Sequence, residues 1–136
     1  MLQYLRSTNN DSIISPQENL QSGSWVRCER PSDEEVSQLL TLGLDEDLIS
    51  DALDPHEVPR IEFDDEWTYL IARLPDTDDD FNDFTTPILF CINKDHIVTL
   101  SRDSLGRLWQ PFIDKVRIRT DRQVELLVAM VEAISM

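Results

Sequence analysis

The sequence predicts an α/β domain of three layers, α/β/α, with a mixed, largely antiparallel central sheet and helices on both faces. Three observations carry this. Residues 88–92 are apolar throughout (Ile88, Leu89, Phe90, Cys91, Ile92), and residues 97–100 are apolar apart from Thr99. Strands of that kind are covered on both sides, so helices lie above and below the sheet. The run Asn93-Lys94-Asp95-His96 between them is a tight set of turn residues that makes the two strands antiparallel.

The remaining elements follow in order. Residues 1–6 alternate weakly, Leu2 and Tyr4 against Gln3, and predict a short strand. Residues 7–24 are rich in Ser, Asn and Gln and predict a loop, with Ile13 and Ile14 as its one apolar patch. Trp25-Val26-Arg27-Cys28 predicts a second strand. Ser32 and Glu35 have the spacing of a reciprocal cap, in which each side chain satisfies the other's free amide. They open a helix that buries Val36, Leu39 and Leu40 and stops at Gly43.

A second helix is predicted over residues 45–54, with Leu48, Ile49, Ala52 and Leu53 on one apolar face. Glu46, Asp47, Ser50, Asp51 and Asp54 lie outside that face. Asp51 and Asp54 sit at the negative end of the helix dipole, which disfavours carboxylates and asks for another reason for them. Pro59 then forces extended geometry before it. Residues 60–63 predict a strand, Asp64-Asp65-Glu66 a turn, and residues 67–74 the antiparallel partner. Residues 76–83 predict a solvated acidic loop; it lacks the glycine and terminal glutamate of a calcium loop.

Leu105, Leu108, Trp109 and Phe112 could share one helical face, but Pro111 sits badly inside such a helix. The reading preferred from sequence makes residues 105–110 an irregular turn and Pro111 the first helical position, with Phe112 and Val116 buried. Arg117, Arg119 and Arg122 form the one basic cluster. A last helix begins at Asp121 and turns Val124, Leu127, Val128, Val131 and Ile134 inward, with Leu126, Met130 and Ala133 beside them. It carries no stop signal, so the helix is expected to run on beyond Met136.

Composition narrows the function. With 136 residues the chain forms one domain, 1–136, large enough for a real core. A net charge of −15 opposes nucleic-acid binding, which needs a basic face, and opposes anionic membrane surfaces too. It suits a solvated surface, a cationic partner or a divalent ion. Cys28 and Cys91 lack metal-ligand spacing and read as buried, reduced thiols. No apolar run approaches the ~20 residues that span a bilayer.

Catalytic patterns are missing. The three glycines are scattered, which excludes a phosphate loop. His56 and His96 belong to different stretches; His56 reads as a structural residue bonding the loop between Pro55 and Pro59. No enzyme is expected. The carboxylates Asp47, Asp51 and Asp54 recur at i, i+4 and i+7 along one helix edge. Such an edge suits Mg2+, which keeps most of its waters and takes few protein ligands. A neighbouring chain would have to add ligands, and by spacing alone this is an ordinary solvated helix face.

The stretch Asp51-Ala52-Leu53-Asp54-Pro55-His56-Glu57-Val58-Pro59-Arg60-Ile61-Glu62-Phe63 resembles a junction in the cytoplasmic N-terminal domain of CorA-type magnesium transporters. There a helix ends, a His/Pro loop follows and a Pro-Arg-x-Glu strand begins. Asp64-Asp65-Glu66-Trp67, Thr86-Pro87-Ile88-Leu89-Phe90 and His96-Ile97-Val98-Thr99-Leu100 agree with it in order and spacing. The likeness covers about Trp25 to the end.

The resemblance implies an α/β/α domain on the cytoplasmic side of a pentameric channel in the cell membrane. Membrane contact would come only through a C-terminal region absent here, a stalk helix and two spans with a Gly-Met-Asn loop. This chain is therefore expected not to conduct ions itself. The family also implies Mg2+ between neighbouring domains that holds the closed state. Asp51 is the best match for its ligand, with Asp47 and Asp54 as weaker contributors; Co2+, Ni2+ and Zn2+ stay open. The alternative is a free-standing acidic α/β module that binds a protein partner through its apolar last helix.

Overall fold

The two apolar strands lie near the middle of a seven-stranded sheet. The computed structural model describes residues 1–8, 13–77, 83–115 and 117–135. In chain order the elements are β1 (Leu2–Arg6), β2 (Ser15–Gln17), β3 (Ser24–Glu29), α1 (Asp33–Thr41) and α2 (Glu46–Ala52). Then come β4 (Arg60–Phe63), β5 (Thr68–Thr77), β6 (Asp83–Ile92), β7 (His96–Ser101), α3 (Gly106–Lys115) and α4 (Gln123–Ser135). The sheet order is β2-β1-β3-β7-β6-β5-β4. Neighbours are antiparallel except β3 and β7, which run parallel with Val26 opposite Val98. The sheet is thus mixed and largely antiparallel, as expected.

Each face has its own core. Below α1 and α2, Leu39, Leu48, Ile49 and Ala52 pack on Val26, Cys28, Tyr69, Ile71, Leu89, Cys91 and Val98. Below α3 and α4, Trp109, Phe112, Leu126 and Met130 pack on Trp25, Leu74, Ile88, Phe90 and Ile97. Alternation along β6 and β7 splits their side chains between these two cores, so the strands read as apolar at nearly every position. Cys28 and Cys91 are buried free thiols. Burial pushes the Cys28 thiol up to about 12 and raises the Cys91 thiol well above its ordinary value.

The local signals hold where they were strongest. Ser32 accepts from the Glu35 amide at 3.2 Å, and Glu35 accepts from the Ser32 amide at 3.0 Å. Gly43 closes the first helical segment at φ +95°, a backbone conformation that side chains disfavour. Asp64 shapes the β4–β5 turn by accepting from the amides of Glu66 and Trp67. Asn93 does the same for the β6–β7 turn through the amides of Asp95 and His96.

Five expectations are corrected. The predicted loop over residues 7–24 contains β2, paired to β1 with Pro16 opposite Leu5, and Ile14 is buried while Ile13 is exposed. β5 and β6 are longer than predicted and take in Asp76, Thr77 and Asp83. The middle of the expected acidic loop, 78–82, lies outside the described residues. The helix predicted over 45–54 ends at Ala52 with Leu53 as its cap, so Asp54 falls in the following turn.

The fourth correction concerns α3, which runs from Gly106 through Pro111 without interruption. Trp25, Trp109 and Phe112 meet edge to face at ring-centroid separations of 5.3–6.0 Å. Burying two aromatics on Trp25 contributes roughly 3–6 kcal/mol, which offsets the ~3 kcal/mol of an interior proline. Val116 lies outside the described residues. The fifth is α4, which buries Leu126 and Met130 and leaves Val124, Val128 and Val131 exposed. With apolar residues nearly all round, periodicity could not say which face meets the sheet.

Candidate functional site

Asp51 lies in the last turn of α2, and its carboxylate meets Arg60 at the start of β4. Apolar residues at positions 48, 49 and 52 bury one side of α2 and leave the edge carrying Asp51 facing out. Beyond the cap, the Asp54 amide donates to the Asp51 carbonyl at 3.0 Å and the Glu57 amide donates to the Asp54 carbonyl at 3.2 Å. The Asp54 carboxylate accepts from the His56 amide at 2.9 Å. The backbone of His56 is therefore what bonds this loop, whereas its imidazole is exposed.

β4 pairs with β5 with Arg60 opposite Ile71 and Glu62 opposite Tyr69. Ile71 and Tyr69 belong to the core under α2, so Arg60 and Glu62 point to the α2 side of the sheet. Arg60 Nη2 donates to Asp51 Oδ2 at 2.5 Å and its Nε to Glu62 Oε1 at 3.1 Å, and its Nη1 donates to Glu57 Oε1. Arg73 of β5 also holds the loop, donating through Nη1 to the Glu57 carbonyl at 2.8 Å. One guanidinium thus gathers three carboxylates, a fork geometry that ammonium groups cannot reproduce.

The cluster keeps a surplus of negative charge. Its side chains remain partly open to water: 38% for Asp51, 26% for Arg60 and 51% for Glu62. The hydrogen bond to Asp51, and then the charges of Glu57 and Glu62, raise the Arg60 guanidinium above its ordinary value. Asp47 stands exposed earlier on α2, and Asp54 is engaged with the loop amide. Of the three predicted carboxylates, the bonded cluster includes Asp51 alone.

Sequence reading missed Arg60, Glu57 and Glu62. The signal was present in part, since Arg60 and Glu62 share a strand face at i and i+2. No group of three or more His, Cys, Asp or Glu side chains among the described residues is arranged to hold a metal ion. Asp51 offers a hard oxygen donor, partly exposed, of the type a hydrated cation takes, and by itself it does not make a complete site. No helix among the described residues is long and apolar enough to cross a membrane.

This architecture defines a class by fold: a layered α/β domain with a mixed seven-stranded sheet that recurs in solved structures. The chain superposes on the soluble domain of CorA from Methanocaldococcus jannaschii with a TM-score of 0.79 and 23% identity, covering 99% of this chain and 56% of that one. Against the complete CorA magnesium transporter of the same organism the TM-score is 0.78 at 22% identity, covering 99% and 44%. The ZntB cytoplasmic domain from Vibrio parahaemolyticus gives 0.66 at 14%, covering 97% of this chain and 56% of that chain. In sequence the chain is 30% identical over 88 residues to the cobalt/magnesium transport protein CorA of M. jannaschii, which is 62% of this chain and 27% of that protein. Residues 21–134 match the family described as CorA-like Mg2+ transporter protein, and the chain belongs to that family. It spans about a quarter to a half of the length of these transporters.

Proposed function

We propose that this chain is the cytoplasmic regulatory domain of a CorA-like magnesium or other divalent-cation channel, in which an ion shared between neighbouring subunits favours the closed state. The observation that carries the reading is Asp51: a partly exposed carboxylate at the end of α2, on a CorA-type fold. A bound Mg2+ would supply positive charge between two acidic domains. Asp51 offers an oxygen donor from one subunit, and Asp47 and Asp54 add to the local negative field. In an oligomer of acidic domains, pentameric by this reading, like charges push subunits apart. An ion bound only when subunits are close then stabilises that packing by linkage. The transporter would lie in the cell membrane with this domain on the cytoplasmic side. Mg2+ and Co2+ are the ions named for the M. jannaschii relative; the donor chemistry of Asp51 admits Ni2+ and Zn2+ as well.

Asp51→Ala in the full-length transporter tests this. Closure should require at least about fivefold more Mg2+, the lower range of allosteric couplings. An unchanged Mg2+ midpoint in a flux assay would remove Asp51 from the regulatory role. One observation favours the second reading, a free-standing acidic interaction module: the exposed Val124, Val128 and Val131 on α4. Self-association of the chain that rises with concentration and ignores Mg2+ would support it.

A further inference from the structure

We propose that Arg60 is a built-in competitor for the cation at Asp51: its guanidinium holds the carboxylate when no divalent ion is bound and must release it for one to enter. This rests on the reading of Asp51 as a cation ligand. The geometry supplies the argument. Asp51 Oδ2 lies 2.5 Å from Arg60 Nη2, so the donor expected to face an ion is already engaged by a cation of this same chain. A divalent ion and a guanidinium repel one another at such range, and a carboxylate shared tightly by both is disfavoured.

Release is inexpensive because Arg60 does not become unpaired. Glu57 bonds its Nη1 and Glu62 its Nε, so the side chain can swing from Asp51 while two carboxylates keep its charge compensated. Both retaining groups have a support outside α2. Glu62 stands on β4, paired to β5, and the Glu57 backbone is held by Arg73. All the groups are partly exposed, so water assists the exchange and the pair is worth little by itself. Asp51 therefore passes between an internal and an external cation. The competition sets how much Mg2+ the site requires, and it keeps α2 tied to the sheet edge when Mg2+ is low.

The test uses the 136-residue chain at low ionic strength, where screening is weak. Mg2+ is titrated while the backbone amides of residues 51–54 and the Arg60 Nε–H are followed by NMR. In the unaltered chain the Arg60 Nε–H and the Asp51 amide should shift with the same midpoint. Arg60→Gln should lower the Mg2+ midpoint about two- to fivefold, and Asp51→Asn added to it should abolish that gain. Three results would overturn the proposal. Arg60→Gln and the unaltered chain could share a midpoint; the gain could survive Asp51→Asn; or the Asp51 amide could saturate, or stay still, while Arg60 Nε–H does not move. The measurement on the unaltered chain decides the matter even if Arg60→Gln loosens β4. The two proposals fail separately. A shifted Mg2+ midpoint for Asp51→Ala in the transporter with no Arg60 effect removes only the competition, and the reverse result removes only the regulatory role.

Discussion

Glu29 in β3 accepts a hydrogen bond from the backbone amide of Leu105 at 2.9 Å, immediately before α3. The same carboxylate takes Arg27 Nε at 2.5 Å and Nη2 at 3.0 Å, with both side chains under a tenth exposed. Strand β3 thereby fixes the start of a helix 76 residues away. Removing one partner strands a buried charge. Glu29→Ala or Arg27→Ala should lower the unfolding free energy by roughly 3–5 kcal/mol. Replacing both with Met should recover most of that loss, because a buried pair returns little beyond its own desolvation. Urea denaturation of the three variants reads this out. Additive losses in the double variant would show that the charges are not acting as a pair.

Asp64 links the β4–β5 turn to α2. Its carboxylate accepts from the amides of Glu66 and Trp67 and from the Tyr69 hydroxyl, while the Tyr69 oxygen accepts from the amide of Asp45, the cap of α2. Those two amides first, then the hydroxyl, hold Asp64 below its ordinary value of 3.8. A carboxyl lowered in the folded state contributes stability above that ordinary value and loses it as pH falls through the lower folded one. Asp64→Asn should therefore destabilise the chain near pH 7, and the difference from the unaltered chain should shrink below about pH 4. Chemical denaturation at several pH values provides the check. A difference constant with pH would assign the effect to turn geometry alone.

Two glycines should respond in opposite directions to alanine. Gly23 adopts φ +82°, and an added Cβ would meet the Asp121 Cβ at 2.8 Å. Its amide also donates to the Asp95 carbonyl and its own carbonyl accepts from Thr120, so the backbone has little room to shift. Gly23→Ala should cost more than about 1 kcal/mol. Gly106 opens α3 with nothing within 4 Å of the added atom. Gly106→Ala should stabilise by about 0.4–1 kcal/mol by restricting the unfolded chain. Thermal melts of both separate the two effects.

Most of the layer order was legible because it rests on short-range rules. The continuous apolar runs in β6 and β7 required cover on both faces, and the Ser32–Glu35 cap and the turns at Asp64 and Asn93 were set by neighbouring residues. The errors arose where distant contacts outweighed a local signal. By local rule Pro111 suits a helix start, but Trp25 in β3 offers Trp109 and Phe112 a buried surface. β2 follows from its pairing with β1 and carries almost no signal of its own in three residues, one of them proline. The inward face of α4 was set by the sheet beneath it, since the helix is apolar nearly all round.

The sequence by itself determined that this is an acidic α/β domain with helices on both faces of its sheet, and that Asp51 stands at the exposed end of a helix. Periodicity, caps and charge fix those features within a few residues of chain. Tertiary structure alone decided that Asp51 is held by Arg60, and that Arg60 also gathers Glu57 and Glu62. That convergence depends on where the loop after α2 returns the chain to the sheet edge. The return is fixed by β4–β5 pairing and by Arg73, contacts between residues up to 16 positions apart that no local pattern records.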